Sequence, residues 1–203
     1  NMSKKYEIFL FDLDGTITDS ALGITNSVMY ALKKFGIEET DRTKLYKFIG
    51  PPLTESFEKF YGFTKEQSLD GVKYYREYYA VKGIFENSVY EGLAETLESL
   101  ENEGYILAVA TSKPEEYAKR IADKFDFAKY FAGIYGATMD GSLIRKADVI
   151  RYALDNLGVE RENYDQVVMV GDRNNDIYGA KENGIQVIGV LYGYGDLAEL
   201  QSA

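Results

Sequence analysis

Acidic residues form two clusters in the sequence, each directly after a short apolar run. Asp12 and Asp14 make up the first cluster, and Asp172 and Asp176 belong to the second. A single aspartate at such a place is usually a helix cap or a turn residue. If the two clusters converge, each pair of carboxylates 4 Å apart would repel by about 4 kcal/mol at an effective dielectric constant of 20. Such a site requires a cation, and a site built of oxygen ligands favours Mg²⁺.

The composition excludes several other chemistries. The 203 residues include no Cys and no His, which excludes thiol nucleophiles, catalytic triads with histidine, and zinc sites built from these side chains. Proton transfer is therefore left to Asp, Glu, Lys or Tyr. With 23 Lys and Arg against 33 Asp and Glu, the formal net charge is −10. Such an acidic chain is a poor candidate for binding nucleic acid or an anionic membrane.

Two further places offer groups that suit a phosphate. Thr111 and Ser112 follow another apolar run, and Pro114 is suited to the first turn of a helix. Their hydroxyl and N–H groups would lie at the positive end of that helix, although a plain helix cap explains them equally well. Lys146 is expected at a helix start, where a cation is unfavourable. Taken alone, the Lys146 side chain is most simply interpreted as solvated. The alternative is that its ammonium binds an anion.

The elements that must position these residues alternate between strands and helices. Short continuous apolar runs are typical of strands buried on both faces of a parallel sheet. Helical spacing of apolar residues lies between them, which predicts an α/β fold with crossover helices. The four strong strand predictions are residues 8–11, 106–110, 167–170 and 187–190. Residues 131–135 are a weaker one.

The stretch between the first two strands is too long for one crossover. It contains an apolar helical stripe and a break at Gly50-Pro51-Pro52. It also contains a capping box at Thr64–Gln67, which predicts a helix to about Lys82. We therefore expect a helical insertion over residues 20–88. Its tyrosines are expected to pack and form a phenol rim, with a substrate-facing aromatic ring as the alternative; they are Tyr74, Tyr75, Tyr78 and Tyr79.

These motifs together resemble the haloacid dehalogenase superfamily of phosphohydrolases. They occur in the order of that superfamily and the resemblance covers nearly the whole chain. The matching residues are Asp12-x-Asp14-x-Thr16, Thr111-Ser112, Lys146, and Gly171-Asp172 with Asp176. Residues 49–53 and 90–93 further resemble its phosphoglycolate phosphatase and pyrophosphatase branches.

The resemblance implies a Rossmann-like three-layer core of residues 1–19 and 89–203, with sheet order 3-2-1-4-5, and a helical cap of residues 20–88. It also implies roles for the motif residues. Asp12 would be the nucleophile that forms an aspartyl-phosphate, and Asp14 the general acid and then base. Asp12, the Asp14 backbone carbonyl and Asp172 would hold Mg²⁺. Thr111, Ser112 and Lys146 would hold the phosphoryl oxygens, whereas Thr16 and Asp176 would support the metal site from behind.

The implied activity is a Mg²⁺-dependent phosphatase of a small phosphorylated metabolite. Phosphoglycolate, pyrophosphate and nucleoside monophosphates stay open as substrates, and Arg42, Gly50 and Pro51 are candidate specificity residues in the cap. Alternatives are a sugar phosphomutase of the β-phosphoglucomutase type and, in another class, a phospho-acceptor signalling domain. No nucleic-acid partner is expected, and the oligomeric state is open.

Two other features bear on partners and location. No apolar run approaches the roughly 20 residues of a membrane span, and no signal peptide is recognisable, so a cytoplasmic location is expected. A glycine pattern at residues 193–198 fits a permissive dinucleotide-binding motif, but too little chain follows it to complete such a site.

Overall fold

The computed structural model describes residues 5–203, and its largest sheet has five parallel strands. These strands are β1 (Ile8–Phe11), β4 (Ile106–Pro114), β5 (Gly133–Ala137), β6 (Val167–Gly171) and β7 (Gln186–Gly189). Their spatial order is β5-β4-β1-β6-β7, which reads 3-2-1-4-5 when these five strands alone are numbered along the chain. The predicted α/β class with a parallel sheet is confirmed. A second sheet of two short strands was not predicted.

Successive residues of the central strand point to opposite faces of the sheet, and each face has its own core. Leu10 packs with Ile150 and Ala180, which belong to helices α6 (Lys146–Asn156) and α7 (Asn174–Glu182). Phe11 points to the other face, which is covered by α4 (Leu93–Asn102) and α5 (Glu115–Lys124). A short helix α8 (Leu197–Gln201) packs on α7. Helices on both faces make the core three layers deep.

Three helices and two 3₁₀ turns make up the insertion between residues 20 and 88, ahead of α4 and β4. They are α1 (Ala21–Lys34), α2 (Leu53–Tyr61) and α3 (Lys65–Tyr79), with 3₁₀ turns at Arg42–Phe48 and Gly83–Phe85. The chain enters and leaves this insertion through the antiparallel pair of β2 (Thr18–Asp19) and β3 (Ser88–Val89). The division into a core and a cap of residues 20–88 stays a prediction, because the apolar cluster of the insertion continues into one face of the sheet.

The end of one predicted helix differs from the prediction. The capping box of Thr64 and Gln67 is present, but α3 ends at Tyr79 rather than near Lys82, because the chain turns there into the second 3₁₀ turn. Helix α7 begins at Asn174 with Arg173 as its N-cap residue, whose backbone N–H donates to Asp176. Among residues 5–203, no helix has both the length and the apolar character that crossing a bilayer requires.

Candidate active site

Three buried carboxylates meet at the carboxyl edge of the sheet. Asp12 directly follows β1, and its backbone N–H donates to the Val170 carbonyl of the neighbouring strand at 2.9 Å. Asp172 directly follows β6, and Asp176 lies in the first turn of α7. One oxygen of each of Asp12, Asp172 and Asp176 lies within 4.8 Å of the others. Adjacent parallel strands end at the same edge, which explains why residues 160 positions apart come together.

Lys146 supplies a positive charge to this cluster. Its ammonium lies 2.8 Å from Oδ1 of Asp12 and 3.0 Å from Oδ1 of Asp176, and it donates to the Ala110 carbonyl at 3.0 Å. Its side chain is only 2% exposed, so the interpretation of Lys146 as a solvated surface lysine is wrong. Burial lowers the pKa of Lys146, but the two carboxylates outweigh burial and raise it above its ordinary value.

One ammonium cannot balance three carboxylates. Burial, followed by repulsion from Asp176, raises the pKa of Asp12 well above its ordinary value, and the attraction of Lys146 only partly opposes this. Burial and Asp176 likewise raise the pKa of Asp172 to about 7. The protein alone therefore disfavours the fully ionised cluster, which is the form that binds a cation.

The contacts of the carboxylates distinguish Asp176, which the protein holds at both oxygens, from Asp12, which has one oxygen open to a ligand. Oδ2 of Asp176 accepts the backbone N–H groups of Asp172 and Arg173, both at 3.1 Å, while its other oxygen faces Lys146. Asp172 accepts from the Thr16 hydroxyl at 3.2 Å. By contrast, no donor in residues 5–203 contacts Oδ2 of Asp12. A buried, unpartnered carboxylate oxygen within an excess of negative charge fits a hard divalent cation such as Mg²⁺.

Hydroxyl groups lie at the end of the next strand, β4. Thr111 is buried, and its Oγ1 accepts the Lys113 N–H at 3.0 Å, which leaves the hydroxyl proton free to donate. The Ser112 hydroxyl is also buried and contacts no partner in the part of the chain that the structure describes. Because β4 pairs with β1, these donors share the sheet edge with Asp12. Unpartnered donors beside the Lys146 ammonium can hold the oxygens of a phosphoryl group.

Asp14 is buried, and a contact that the sequence did not reveal holds it. Its Oδ2 lies 3.3 Å from the ammonium of Lys113, which also donates a short hydrogen bond to the Tyr79 hydroxyl. Oδ1 of Asp14 has no hydrogen-bond partner among the described residues. Neither Lys113 nor Tyr79 was singled out for this role, because their meeting depends on where the insertion folds back over the sheet.

The glycine pattern at residues 193–198 packs against the acidic loop. A Cβ at Gly193 would lie 2.4 Å from Cβ of Asp172, and one at Gly15, whose φ is +85°, would lie 2.1 Å from Oδ2 of the same residue. The backbone N–H of Tyr194 donates to that Oδ2 at 2.9 Å. Gly193 and Gly15 therefore allow two loops to approach Asp172 closely. A Cβ at Gly195 would likewise lie 2.0 Å from the Asp172 carbonyl oxygen, so packing against Asp172 accounts for both glycines of the pattern.

A cavity of about 320 Å³ lies between the insertion and the sheet edge and includes Asp14 and Ser112 in its wall. Gly50 and Pro51, two of the candidate specificity residues, line it, and so do Tyr75 and Tyr79 of α3. Much of the remaining wall is apolar, with Phe48, Leu53, Leu69, Val72, Tyr117, Met139 and Ile144.

Arg42 does not line this cavity in the described structure. Its guanidinium instead donates to the Thr25 hydroxyl at 2.5 Å and to Oδ1 of Asn26 at 2.9 Å, so it connects the first 3₁₀ turn with α1. The structure therefore gives Arg42 a role within the insertion.

A parallel sheet with a carboxylate cluster, a buried lysine and free hydroxyls at its carboxyl edge defines a class of phosphoryl-transfer enzymes. The family model of haloacid dehalogenase-like hydrolases matches residues 9–190. The chain belongs to this family, and the family resemblance predicted from the motifs is confirmed.

Several known proteins are similar to most of the chain. A 5′-nucleotidase of Pseudomonas aeruginosa is 45% identical over 98% of this chain and 88% of its own length. A phosphoglycolate phosphatase of Aquifex aeolicus is 32% identical over 92% and 85%. The crystal structure of a predicted phosphatase from Clostridium acetobutylicum superposes with a TM-score of 0.94 at 47% identity, over 98% of this chain and 91% of that chain.

One similar protein has the name of a kinase rather than of a phosphatase. The tyrosine-protein kinase PtkA of Mycobacterium tuberculosis is 38% identical over 93% of this chain, which spans only 63% of that protein. The family and the phosphatase-named relatives confirm the prediction of a haloacid dehalogenase-type phosphatase at the level of enzyme class.

Proposed function

We propose that the protein hydrolyses a small phosphate monoester through an aspartyl-phosphate on Asp12. The observation that carries this proposal is the cluster of three buried carboxylates around one ammonium, with one oxygen of Asp12 unpartnered. A protein that stores uncompensated negative charge in its interior loses stability unless a ligand offsets that charge. Asp12, Asp172 and the backbone carbonyl of Asp14 would hold Mg²⁺, which supplies the positive charge that lets a carboxylate approach a phosphate.

In the first step, the Asp12 carboxylate forms a bond to phosphorus while the bond from phosphorus to the leaving oxygen breaks. Lys146 and the Leu13 N–H hold Oδ1 of Asp12 at 2.8 Å each, which fixes the orientation of the nucleophile. Lys146 would also offset the charge of the transferring phosphoryl group. Asp14, acting as a general acid, would give its proton to the leaving oxygen.

In the second step, water forms a bond to phosphorus and the bond from phosphorus to Asp12 breaks, which restores the carboxylate. Asp14, now ionised, would accept the proton of that water. Without histidine in the chain, Asp14 is the acid–base group best placed for both transfers, since it lines the cavity and keeps Oδ1 free. Thr111 and Ser112 would hold the phosphoryl oxygens during both steps.

The cavity supports a leaving group larger than glycolate. A volume of about 320 Å³ with an aromatic and aliphatic wall suits a ring system, whereas glycolate has too few atoms to fill it. We therefore favour a nucleoside 5′-monophosphate over phosphoglycolate and pyrophosphate. The name of the Pseudomonas aeruginosa relative agrees with this choice.

Phosphate release from a panel of phosphate compounds tests the proposal. The panel contains p-nitrophenyl phosphate, nucleoside 5′-monophosphates, phosphoglycolate, pyrophosphate and a hexose 1-phosphate, each with Mg²⁺ and with chelator. We expect release that requires Mg²⁺, is fastest for a nucleotide, and is lost in Asp12→Asn but kept in the exposed control Asp165→Asn. No release from any compound would contradict the proposal.

Two other results would point to the alternative functions. Conversion of the hexose 1-phosphate to an isomer without free phosphate would indicate a mutase. An aspartyl-phosphate that persists for hours at neutral pH would indicate a phospho-acceptor domain.

A further inference from the structure

A buried lysine lies beside the site with no role in the proposed chemistry. Lys113 follows Thr111 and Ser112 near the end of β4, and its side chain is 6% exposed. Its ammonium contacts Oδ2 of Asp14 at 3.3 Å and donates to the Tyr79 hydroxyl. Burial of an ammonium costs several kcal/mol unless a charge and hydrogen bonds compensate it. Oδ2 of Asp14 and the Tyr79 hydroxyl are the groups that compensate it, whether or not Oδ1 carries the proton that the first step requires, so Lys113 and Asp14 stay in contact in both steps.

The contact leaves Asp14 fixed at one oxygen and free at the other. Oδ2 faces Lys113, whereas Oδ1 is buried without a hydrogen-bond partner in residues 5–203 and Asp14 lines the cavity. A side chain that transfers a proton needs a fixed orientation and an accessible atom, because small displacements of such a group cost much of the rate. The contact with Lys113 fixes the orientation of Asp14 and leaves its Oδ1 accessible.

Tyr79 connects this pair to the insertion. It is the last residue of α3 and is 1% exposed. Its ring stacks on Tyr75 at a centroid distance of 5.3 Å and meets the edge of Tyr117 at 5.3 Å. The Lys113 ammonium also lies 4.3 Å from the centroid of the Tyr79 ring, a favourable cation–π distance. The tyrosine is thus a rigid partner whose place depends on how α3 lies over the sheet.

We infer that Lys113 is a positioning residue that fixes Asp14 and makes its orientation depend on the contact between Tyr79 and the sheet edge. This inference rests on the proposed function of Asp14. It means that the group serving the leaving oxygen is held in place only while the end of α3 lies over the site. The position of the end of α3 over the sheet edge and the orientation of Asp14 for proton transfer are then coupled.

The dependence of the rate on the leaving group tests this inference. With enzyme in excess, the first turnover reports only transfer to Asp12. The substrates are p-nitrophenyl phosphate, whose leaving group needs little protonation, and the faster of adenosine 5′-monophosphate and phosphoglycolate. In Lys113→Met we expect the alkyl phosphate to lose about 100-fold in rate and p-nitrophenyl phosphate about threefold or less. Tyr79→Phe should show the same pattern at about fivefold.

Matched controls and contrary outcomes separate the inference from the proposed function. Lys119→Met carries the same substitution at a half-exposed lysine of α5 and should leave both rates unchanged. Equal losses on the two substrates would overturn the inference. An unchanged maximal rate that needs a higher enzyme concentration to reach half its value would also overturn it, because that result indicates that Lys113 binds substrate. Wild-type protein that releases neither leaving group would overturn the proposed function instead. If Lys113→Met does not fold, the pattern in Tyr79→Phe decides.

A second measurement needs neither substrate nor metal. Loss of the Lys113 contact should loosen the end of α3, so amide hydrogen exchange over residues 75–82 should be at least about threefold faster in Lys113→Met. The same residues in Lys119→Met should exchange as in the wild type. Unchanged exchange in Lys113→Met would overturn the link to Tyr79.

Discussion

The sheet edge and the cavity above it are built in opposite ways. At the edge, Asp12, Lys146, Asp172 and Asp176 are almost fully buried and held by ion pairs and backbone N–H groups. The cavity wall is mainly apolar and includes half-exposed side chains such as Leu69. Under the proposed function, the groups at the sheet edge would make and break the bonds to phosphorus, whereas the exposed apolar side chains of the cavity wall would select the leaving group. Substitutions should therefore lower the rate at the edge, and should alter selectivity at exposed apolar positions of the wall such as Leu69.

The largest effect is expected from removal of the Lys146 ammonium at the sheet edge. Lys146→Met leaves three buried carboxylates without their ammonium, so kcat should fall by about 1,000-fold or more and the free energy of unfolding by about 3 kcal/mol. Steady-state kinetics and urea unfolding measure both quantities. The exposed ion pair of Lys129 with Asp126 offers a control, since Lys129→Met should leave the unfolding free energy nearly unchanged. Equal effects of the two variants would remove the distinction between buried and exposed charges.

A somewhat smaller effect is expected from the metal. Because Mg²⁺ would bind the folded carboxylate cluster only, saturation at about 100 times its dissociation constant should stabilise the fold by about 2.7 kcal/mol. A thermal melt with and without Mg²⁺ measures this as a rise in Tm. Asp172→Asn should abolish the rise and Asp165→Asn should keep it. A rise that persists in Asp172→Asn would place the ion elsewhere.

The exposed apolar part of the cavity wall should respond in KM rather than in kcat. Leu69 lines it and is 56% exposed, so Leu69→Ala removes contact with a leaving group without emptying the core. We expect KM for a nucleoside monophosphate to rise about fivefold, with kcat and the kinetics of phosphoglycolate unchanged. Leu22→Ala, a similarly exposed leucine of α1 outside the cavity wall, serves as the control. A fall in kcat would show that the cavity also contributes to the chemical steps.

The smallest effect is expected at Arg42, which was a specificity candidate on sequence grounds. Its hydrogen bonds to Thr25 and Asn26 lie within the insertion, so Arg42→Met should lower the unfolding free energy by about 1 kcal/mol. Neither kcat nor KM should change by more than about twofold. A large change in KM for one substrate of the panel would return Arg42 to the set of specificity residues.

The sequence predicted the edge better than the cavity for a physical reason. Strands buried on both faces are continuous apolar runs, and their carboxyl ends share one edge in a parallel sheet. The apolar runs therefore place Asp12 and Asp172 at the same edge of the sheet. That β1 and β6 are neighbours, and the order of all five strands, came only from the family resemblance.

The contacts of the insertion could not be predicted in this way. Lys113 meets Asp14 and Tyr79 through tertiary packing that leaves no periodicity in the sequence. Arg42 could equally have turned toward the cavity or toward α1, since a long side chain on a 3₁₀ turn has no fixed direction. The strands β2 and β3 have two residues each, which is too short for an alternating pattern.

The most direct test of the central claim is identification of the phosphorylated residue. Wild-type protein mixed with Mg²⁺ and its best substrate is quenched in acid within the first turnover, digested, and analysed by mass spectrometry. The account predicts an acid-stable, base-labile phosphoryl group on the peptide that contains Asp12, and its absence from Asp12→Asn. Phosphate release with no phosphorylated intermediate, or with the phosphoryl group on another residue, would contradict it.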